Sequence, residues 1–356
     1  MFDLNNILRE NIKKLVPYSS ARDEYKGTEG IFLDANENAF GSPLLLEIEG
    51  QELNLNRYPD TLQIAVKEKL RKIKGLPIEN IFLGNGSDEA IDIIFRAFCN
   101  PGKDNVIICP PTYGMYEVSA NINDVQCIKV PLLPETFQLN TDAIIKAITE
   151  NTKLIFICSP NNPTGSEISS DAVKKIIENF NGIVVIDEAY INFASYRTFI
   201  PELLNYPNLV ILQTLSKAWG LAGLRVGMAF ASQPIIDVFN KIKPPYNISI
   251  VSQKLVTGAL DNIEQVNHWI KVVVAERKQL TEEISKLPFV VHVYPSEASF
   301  ILVKTIDAKR IYNYLVENQI VIRDRSKVEM CEGCLRITIG TPEENMQVLK
   351  KLKEYK

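Results

Sequence analysis

Histidine is nearly absent from this chain: His268 and His292 are the only two in 356 residues. Neither neighbours a recognisable nucleophile, so a Ser-His-Asp triad or a histidine-held metal is a poor reading. His268 falls in a long helical stretch, and His292 alternates with Val291 and Val293 as a strand residue does. Both are read as structural. The six cysteines give no metal framework either, because most sit in apolar runs where a thiol packs as a small hydrophobe. Cys331-Glu332-Gly333-Cys334 has the C-x-x-C spacing, but no second pair completes a zinc site. Basic charge is not in surplus. A net charge of -4 leaves no footprint for nucleic acid or an anionic membrane. Long hydrophobic runs are missing too: Ile183-Val184-Val185-Ile186 is typical, strand-length and far too short to span a bilayer. The opening Met1-Phe2-Asp3-Leu4-Asn5-Asn6 is acidic and polar where a signal peptide is basic and then apolar, so a cytoplasmic location is expected. No internal repeat or low-complexity tract is present.

What remains is a chain of ordinary globular composition, 46% hydrophobic and 23% charged, long enough for one large domain and a smaller one. Between about residues 81 and 231, strand-length apolar runs alternate with helix-length segments. The expected strands are 81–83, 106–109, 126–130, 154–158, 183–186, 209–212 and 226–230. These runs are apolar on both faces, which predicts a mostly parallel sheet buried by helices on either side, an α/β fold. Ser87-Asp88-Glu89 is read as opening a helix over 90–99, and Ser169-Ser170-Asp171 one over 172–180. After Pro244-Pro245 a long charged helical stretch over 251–287 precedes short strands and helices at 290–293, 300–303, 308–317, 320–322, 335–339 and 343–354. That is the pattern of a smaller α+β domain. The expected division is an N-terminal arm over 1–30, a small domain from 31–48 plus 247–356, and a large domain over 49–246.

Ligands of open α/β sheets bind at the carboxyl ends of the strands, and here those ends are polar. The first expected strand runs into Gly84-Asn85-Gly86-Ser87-Asp88 before a helix, where backbone N–H groups and helix polarity suit a phosphate. A dinucleotide site is disfavoured, because Glu89 stands where the third glycine of G-x-G-x-x-G belongs. A simple turn and cap is the other reading. Cys109-Pro110-Pro111-Thr112-Tyr113-Gly114 holds a tyrosine on a stiff diproline, either as a plate for a flat ring or as a core residue. Ser159-Pro160-Asn161-Asn162-Pro163-Thr164-Gly165 is more rigid than a mere connection requires, and it aims the Asn162 amide. Asp187 emerges from four β-branched residues, where burial without a partner would raise its pKa. A protonated ring nitrogen would be such a partner; a capping or backbone-bonded aspartate is the alternative. Tyr190 lies three residues on. Finally Thr214-Leu215-Ser216-Lys217 places a lysine on a polar turn, with Arg225 eight residues later among small residues. A desolvated lysine beside a fixed cation becomes a nucleophilic amine able to condense with an aldehyde cofactor, whose phosphate would need the arginine. A surface Lys and Arg beside a glycine-rich turn is the bland alternative.

Each feature is ambiguous, but their joint order is not. With Asn161-Asn162-Pro163-Thr164-Gly165, Asp187-Glu188-Ala189-Tyr190 and Ser216-Lys217 followed by Gly223-Leu224-Arg225, the chain resembles the fold-type-I PLP-dependent aminotransferases over nearly its whole length. Within them, Leu33-Asp34-Ala35-Asn36-Glu37-Asn38, Asn56-Arg57-Tyr58-Pro59-Asp60, Tyr190-Ile191-Asn192-Phe193 and Leu335-Arg336-Ile337-Thr338-Ile339-Gly340 look similar to motifs of the histidinol-phosphate aminotransferases. Ala39-Phe40 departs from that pattern, which usually has proline soon after Asn-Glu-Asn.

The resemblance implies pyridoxal 5'-phosphate as cofactor, Lys217 as its covalent anchor and proton shuttle, and Asp187 as the partner of its pyridine nitrogen. It implies Tyr190 and Asn162 at the ring oxygen and Tyr113 on the ring face. Gly86, Ser87, Asp88, Thr214, Ser216 and Arg225 are implied around the phosphate, with Tyr58 reaching the site of a second copy in a homodimer. For substrate it implies Arg336, a fork suited to carboxylate or phosphate, with Asn36, Asn162, Arg323 and Tyr18. Arg323 is preferred over Arg325, whose bland reading is a solvated charge. The implied reaction is amino transfer between glutamate and imidazole-acetol phosphate, in histidine biosynthesis. An aromatic-amino-acid aminotransferase and a threonine-phosphate decarboxylase share much of the motif set. A non-catalytic regulator on the same fold would carry a basic DNA-binding module, and none is visible.

Overall fold

The computed structural model describes residues 30–34, 36–41 and 55–355. The expected arm, Tyr18, Ala35 and residues 42–54 lie outside the described residues. In chain order the strands are β1 (Ile31–Phe32), β2 (Ile81–Asn85), β3 (Asn105–Ile108), β4 (Gln126–Lys129), β5 (Thr152–Cys158), β6 (Ile183–Asp187), β7 (Leu209–Thr214) and β8 (Val226–Ala231). They continue with β9 (Val290–Val293), β10 (Phe300–Thr305), β11 (Ile320–Val321), β12 (Arg323–Asp324) and β13 (Cys334–Thr338). Among the helices are α1 (Ile64–Lys74), α2 (Gly86–Phe98) and α3 (Met115–Ile122).

Seven strands form the main sheet in the order β2-β8-β7-β6-β5-β3-β4. β8 is antiparallel to both its neighbours, and every other pairing is parallel. All seven expected strands are present. The two-residue period of the strands explains the layers on either side. Ile155, Ile157, Val184, Ile186, Leu209 and Ile211 enter one apolar cluster. Leu154, Phe156, Val185, Val210 and Leu212 enter the other. Each such side chain contributes roughly 1.5–3 kcal/mol of burial, so a continuous β-branched run is what a sheet covered on both faces selects.

Beyond residue 245, β12-β13-β10-β9 form an all-antiparallel sheet. β1 pairs in parallel with β11, so the segment after residue 30 is fastened to the C-terminal part of the chain. Two details differ from the sequence reading. The stretch expected as one helix is two, Ile250–Ala259 and Ile263–Ile284, joined by a 3-10 turn at Leu260–Asn262. And α2 starts at Gly86, so Ser87, Asp88 and Glu89 lie inside its first turn. The Glu89 carboxylate folds back to accept the Asn85 N–H at 2.5 Å, which does the work expected of a capping side chain one turn later. Ser169 does cap its helix, accepting from Ala172 at 3.5 Å. His268 lies on the Ile263–Ile284 helix, and His292 on β9 packs edge-on against Tyr294. The thiols of Cys331 and Cys334 are buried, and burial pushes them up to about 12 and about 11. No helix among the described residues is long and apolar enough to cross a membrane.

Candidate active site

The carboxyl ends of β2, β5, β6 and β7 meet at one cavity of about 310 Å³. β8 runs the opposite way, so its start, next to Arg225, reaches the same end. Gly86, Ser87, Asp88, Tyr113, Asn162, Asp187, Tyr190, Thr214, Ser216, Lys217 and Arg225 line this space, joined by Asn36 and Arg336. Of the expected residues, Tyr58 and Arg323 are not on its wall. Tyr58 is 79% exposed and stacks on Tyr246, with ring centroids 4.3 Å apart. Arg323 sits on β12 directly opposite Arg336 of β13 in register, which puts both side chains on one face of the sheet.

At one end of the cavity the backbone is drawn very close. Gly86 has φ +73°, its N–H donates to the Arg225 carbonyl at 2.9 Å, and a Cβ there would lie 2.8 Å from the Arg225 guanidinium. A Cβ on Gly227 would lie 2.2 Å from the Ser87 nitrogen, so only glycine lets β8 press against the start of α2. First-turn N–H groups without partners inside the helix thus open onto a cavity also faced by a guanidinium. Arg225 is held in the left-handed region at φ +54° and reaches Asp88 at 3.4 Å. Thr214 also lines the cavity: its hydroxyl donates to the Ser216 hydroxyl at 3.0 Å and accepts the Ser216 N–H at 3.1 Å.

In the middle lie the acid and the amine. Asp187 is 2% exposed, and burial raises its pKa to about 6 despite hydrogen bonds from the Tyr116 hydroxyl at 2.7 Å and the Ala189 N–H at 3.0 Å. Lys217 has its pKa lowered to about 8, first by burial and then by Arg336. Such a lysine has a usable fraction of neutral amine near neutral pH.

A buried polar network forms the third wall. The Tyr190 hydroxyl accepts from the Asn36 amide at 2.9 Å and from the Asn162 amide at 3.5 Å. Burial pushes that phenol up to about 12. Arg336 donates to the Asn162 side-chain oxygen at 2.7 Å and to the Asp34 carbonyl at 2.5 Å. Its guanidinium lies 5.2 Å above the Phe300 ring, whose edge also meets Tyr190. Asn36 takes φ +54° and is locked by Thr338, which accepts its N–H at 3.1 Å and donates to its side-chain oxygen at 2.9 Å. The sequence reading missed Tyr116, Asp34, Thr338 and Phe300.

The cavity therefore offers a nucleophilic amine, a buried acid, an anion cradle and a guanidinium fork. This set fits pyridoxal phosphate, the group expected from the motifs. A Cβ at Gly86 would narrow the cradle, and the buried Asp187 is of the charge a protonated ring nitrogen would complete.

Fold and site together define a transaminase-like α/β enzyme. A family model described as aminotransferase class I and II matches residues 28–352, and the chain belongs to that family. It is 56% identical, over 99% of both chains, to a histidinol-phosphate aminotransferase of Cytophaga hutchinsonii. Among solved structures it is similar to the histidinol-phosphate aminotransferase of Clostridium acetobutylicum, with a TM-score of 0.84 and 25% identity over 91% of this chain and 98% of that one. The Sinorhizobium meliloti enzyme, solved in complex with pyridoxal-5'-phosphate, shares the fold with a TM-score of 0.87, 21% identity and 98% coverage of both chains.

Proposed function

We propose that the chain is a pyridoxal-phosphate-dependent histidinol-phosphate aminotransferase. It moves the amino group of glutamate to imidazole-acetol phosphate, giving 2-oxoglutarate and histidinol phosphate, a step of histidine biosynthesis. The observation that carries the reading is the single cavity in which Lys217, Asp187, Arg225 and Arg336 meet. Identity of 56% over the full length of a relative bearing that name supports the substrate.

When bound, the cofactor supplies an aldehyde that captures amines and a ring that accepts the electron pair released at the substrate α-carbon. Lys217 would anchor it and would carry the proton of the substrate α-carbon. Asp187 holds a proton at the ring nitrogen, which keeps the ring electron-poor. Tyr190 and Asn162 would hold the ring oxygen, and Tyr113 would pack on the ring. Gly86, Ser87 and Asp88 through their backbone, with Thr214, Ser216 and Arg225, hold the phosphate. At the substrate end Arg336 and Asn36 act with Arg323, which shares a sheet face with Arg336, and with the Tyr18 hydroxyl.

Tyr58, exposed in the single chain, would reach the cofactor phosphate of a second copy in a homodimer, and the enzyme would work in the cytoplasm. The division into a large domain (49–246) and a small one (31–48 plus 247–356) puts Lys217 on the first and Arg336 on the second. The β1–β11 pairing supports that grouping.

The test is a half-reaction panel with histidinol phosphate, phenylalanine and threonine phosphate as amine donors, followed by the visible spectrum of the cofactor. Histidinol phosphate should convert it fastest; preference for phenylalanine, or carbon dioxide release from threonine phosphate, would overturn the substrate. In the same assay Arg323→Ala should raise the KM for histidinol phosphate about 10- to 100-fold, the worth of a charge-assisted contact, and spare glutamate. Equal losses for both would move Arg323 out of the phosphate site.

A further inference from the structure

We infer that Tyr116 is a positioning residue that keeps Asp187 ionised inside an apolar wall, and so sets the grip of the site on the cofactor's ring nitrogen. The inference rests on the assignment of Asp187 made above and goes beyond it, because Tyr116 lies behind the acid, off the cavity wall.

The geometry is one-sided. The two Asp187 oxygens each accept one hydrogen bond, Oδ2 from the Tyr116 hydroxyl at 2.7 Å and Oδ1 from the Ala189 N–H at 3.0 Å. Both donors favour the carboxylate over the acid. The backbone donor is fixed by the turn, so the tyrosine is the adjustable one. Its hydroxyl is a permanent donor: burial and the neighbouring carboxylate raise the phenol well above its ordinary range. Nor is the ring free to swing away. It is fully buried and stacks on Phe156 at 4.7 Å, which stacks on Phe95 at 5.5 Å, while its face meets Tyr113 edge-on at 5.6 Å. Tyr113 is tied in turn to Asp88 at 3.1 Å. An aromatic column from the core thus ends on the acid and on the tyrosine at the cavity wall.

The other titratable groups facing Asp187 do not replace this donor. Cys158 on β5 and Tyr190 keep their protons, their pKa values pushed up by burial to well above neutral. Asp88 at the start of α2 repels the charge. Lys217 attracts it, but is itself partly discharged. Without the phenol, burial is opposed by one backbone N–H and the Lys217 amine.

The experiment compares apoprotein of the wild type and of Tyr116→Phe, which keeps the column and removes one oxygen. Pyridoxal phosphate affinity is measured by absorbance titration between pH 5 and 8.5, with no turnover involved. In the wild type, affinity should fall as the pH drops through about 6, where Asp187 takes up its proton. In Tyr116→Phe that limb should move up by about one unit or more, with roughly a 10-fold loss at neutral pH that shrinks as the pH is raised. Difference infrared spectra of the apoproteins, against Asp187→Asn, should show a protonated carboxyl stretch persisting to higher pH in Tyr116→Phe. A loss uniform in pH, or an unmoved limb, would overturn the inference and leave Tyr116 merely structural. Absence of saturable binding in the wild type would instead sink the cofactor reading beneath it.

Discussion

Lys217→Ala is expected to stop amino transfer, with turnover falling at least about 10⁴-fold, because one side chain supplies both the covalent anchor and the proton carrier. Among the described residues no other lysine lines the cavity. Lysines elsewhere with depressed pKa values, such as Lys67 and Lys74, owe them to burial and are engaged in the scaffold; Lys74, for instance, donates to Gln213 at 2.6 Å. Lys217 differs in facing open space beside Arg336, the cation that lowers its pKa after burial. Borohydride treatment of the wild-type holoenzyme, followed by peptide mass mapping, should fix the cofactor on the peptide that contains Lys217. The variant should carry no such label while still binding the cofactor reversibly, since the phosphate cradle and Asp187 are untouched. A label on another lysine, or a variant with turnover within tenfold of wild type, would refute the assignment.

How this lysine could be found from sequence alone says what sequence encodes well. Asp187, Thr214 and the turn bearing Lys217 each follow an apolar run whose strand character is set locally, by four or more β-branched or aliphatic residues. Ends of such strands in a parallel sheet share one edge, so residues far apart in the chain are placed together by topology. That made most of the cavity wall legible, including Arg225 and Tyr190.

The misses have the opposite character. Tyr116 meets Asp187 across 71 residues from the first turn of α3, and nothing local separates it from the chain's other tyrosines. Asp34 serves Arg336 through its carbonyl, across 302 residues, and a backbone oxygen leaves no mark on side-chain identity. The helix break at Leu260–Asn262 is signalled only by Gly258 before it and by Asp261-Asn262, which suit an N-cap, and an apolar periodicity that runs on past them masks that signal. The early start of α2 depends on Gly86 at positive φ, fixed by β8 and Arg225 rather than by its own neighbours. Local pattern placed the site; long-range hydrogen bonds trim and tune it.

Asp187→Asn should separate stability from activity in opposite directions. Burial raises the carboxyl from its ordinary 3.8 to about 6, so the folded apoprotein binds this proton more tightly than the unfolded chain does. The sign follows: stability from this group is fully present below pH 4 and is lost as the pH rises through about 6, amounting to roughly 3 kcal/mol at neutral pH at 1.36 kcal/mol per unit. The amide variant has the same shape, can still accept the Ala189 N–H, and carries no charge to bury. Its apoprotein should therefore melt higher than wild type at pH 7, by about 1–3 kcal/mol of stability, with the difference vanishing near pH 4. With cofactor the order should reverse. The amide cannot hold a cationic ring nitrogen, so added pyridoxal phosphate should stabilise the variant less, and turnover should fall on the order of 10³-fold. Thermal melts of both proteins at pH 4 and pH 7, with and without pyridoxal phosphate, together with kcat, supply the comparison. An apo variant less stable than wild type at neutral pH would mean that the carboxylate is stabilised by its two donors more than burial opposes it. A holo variant of wild-type turnover would remove Asp187 from the chemistry. The predicted crossing ties both effects to one cause: a buried charge kept ready for a cation that only the cofactor brings.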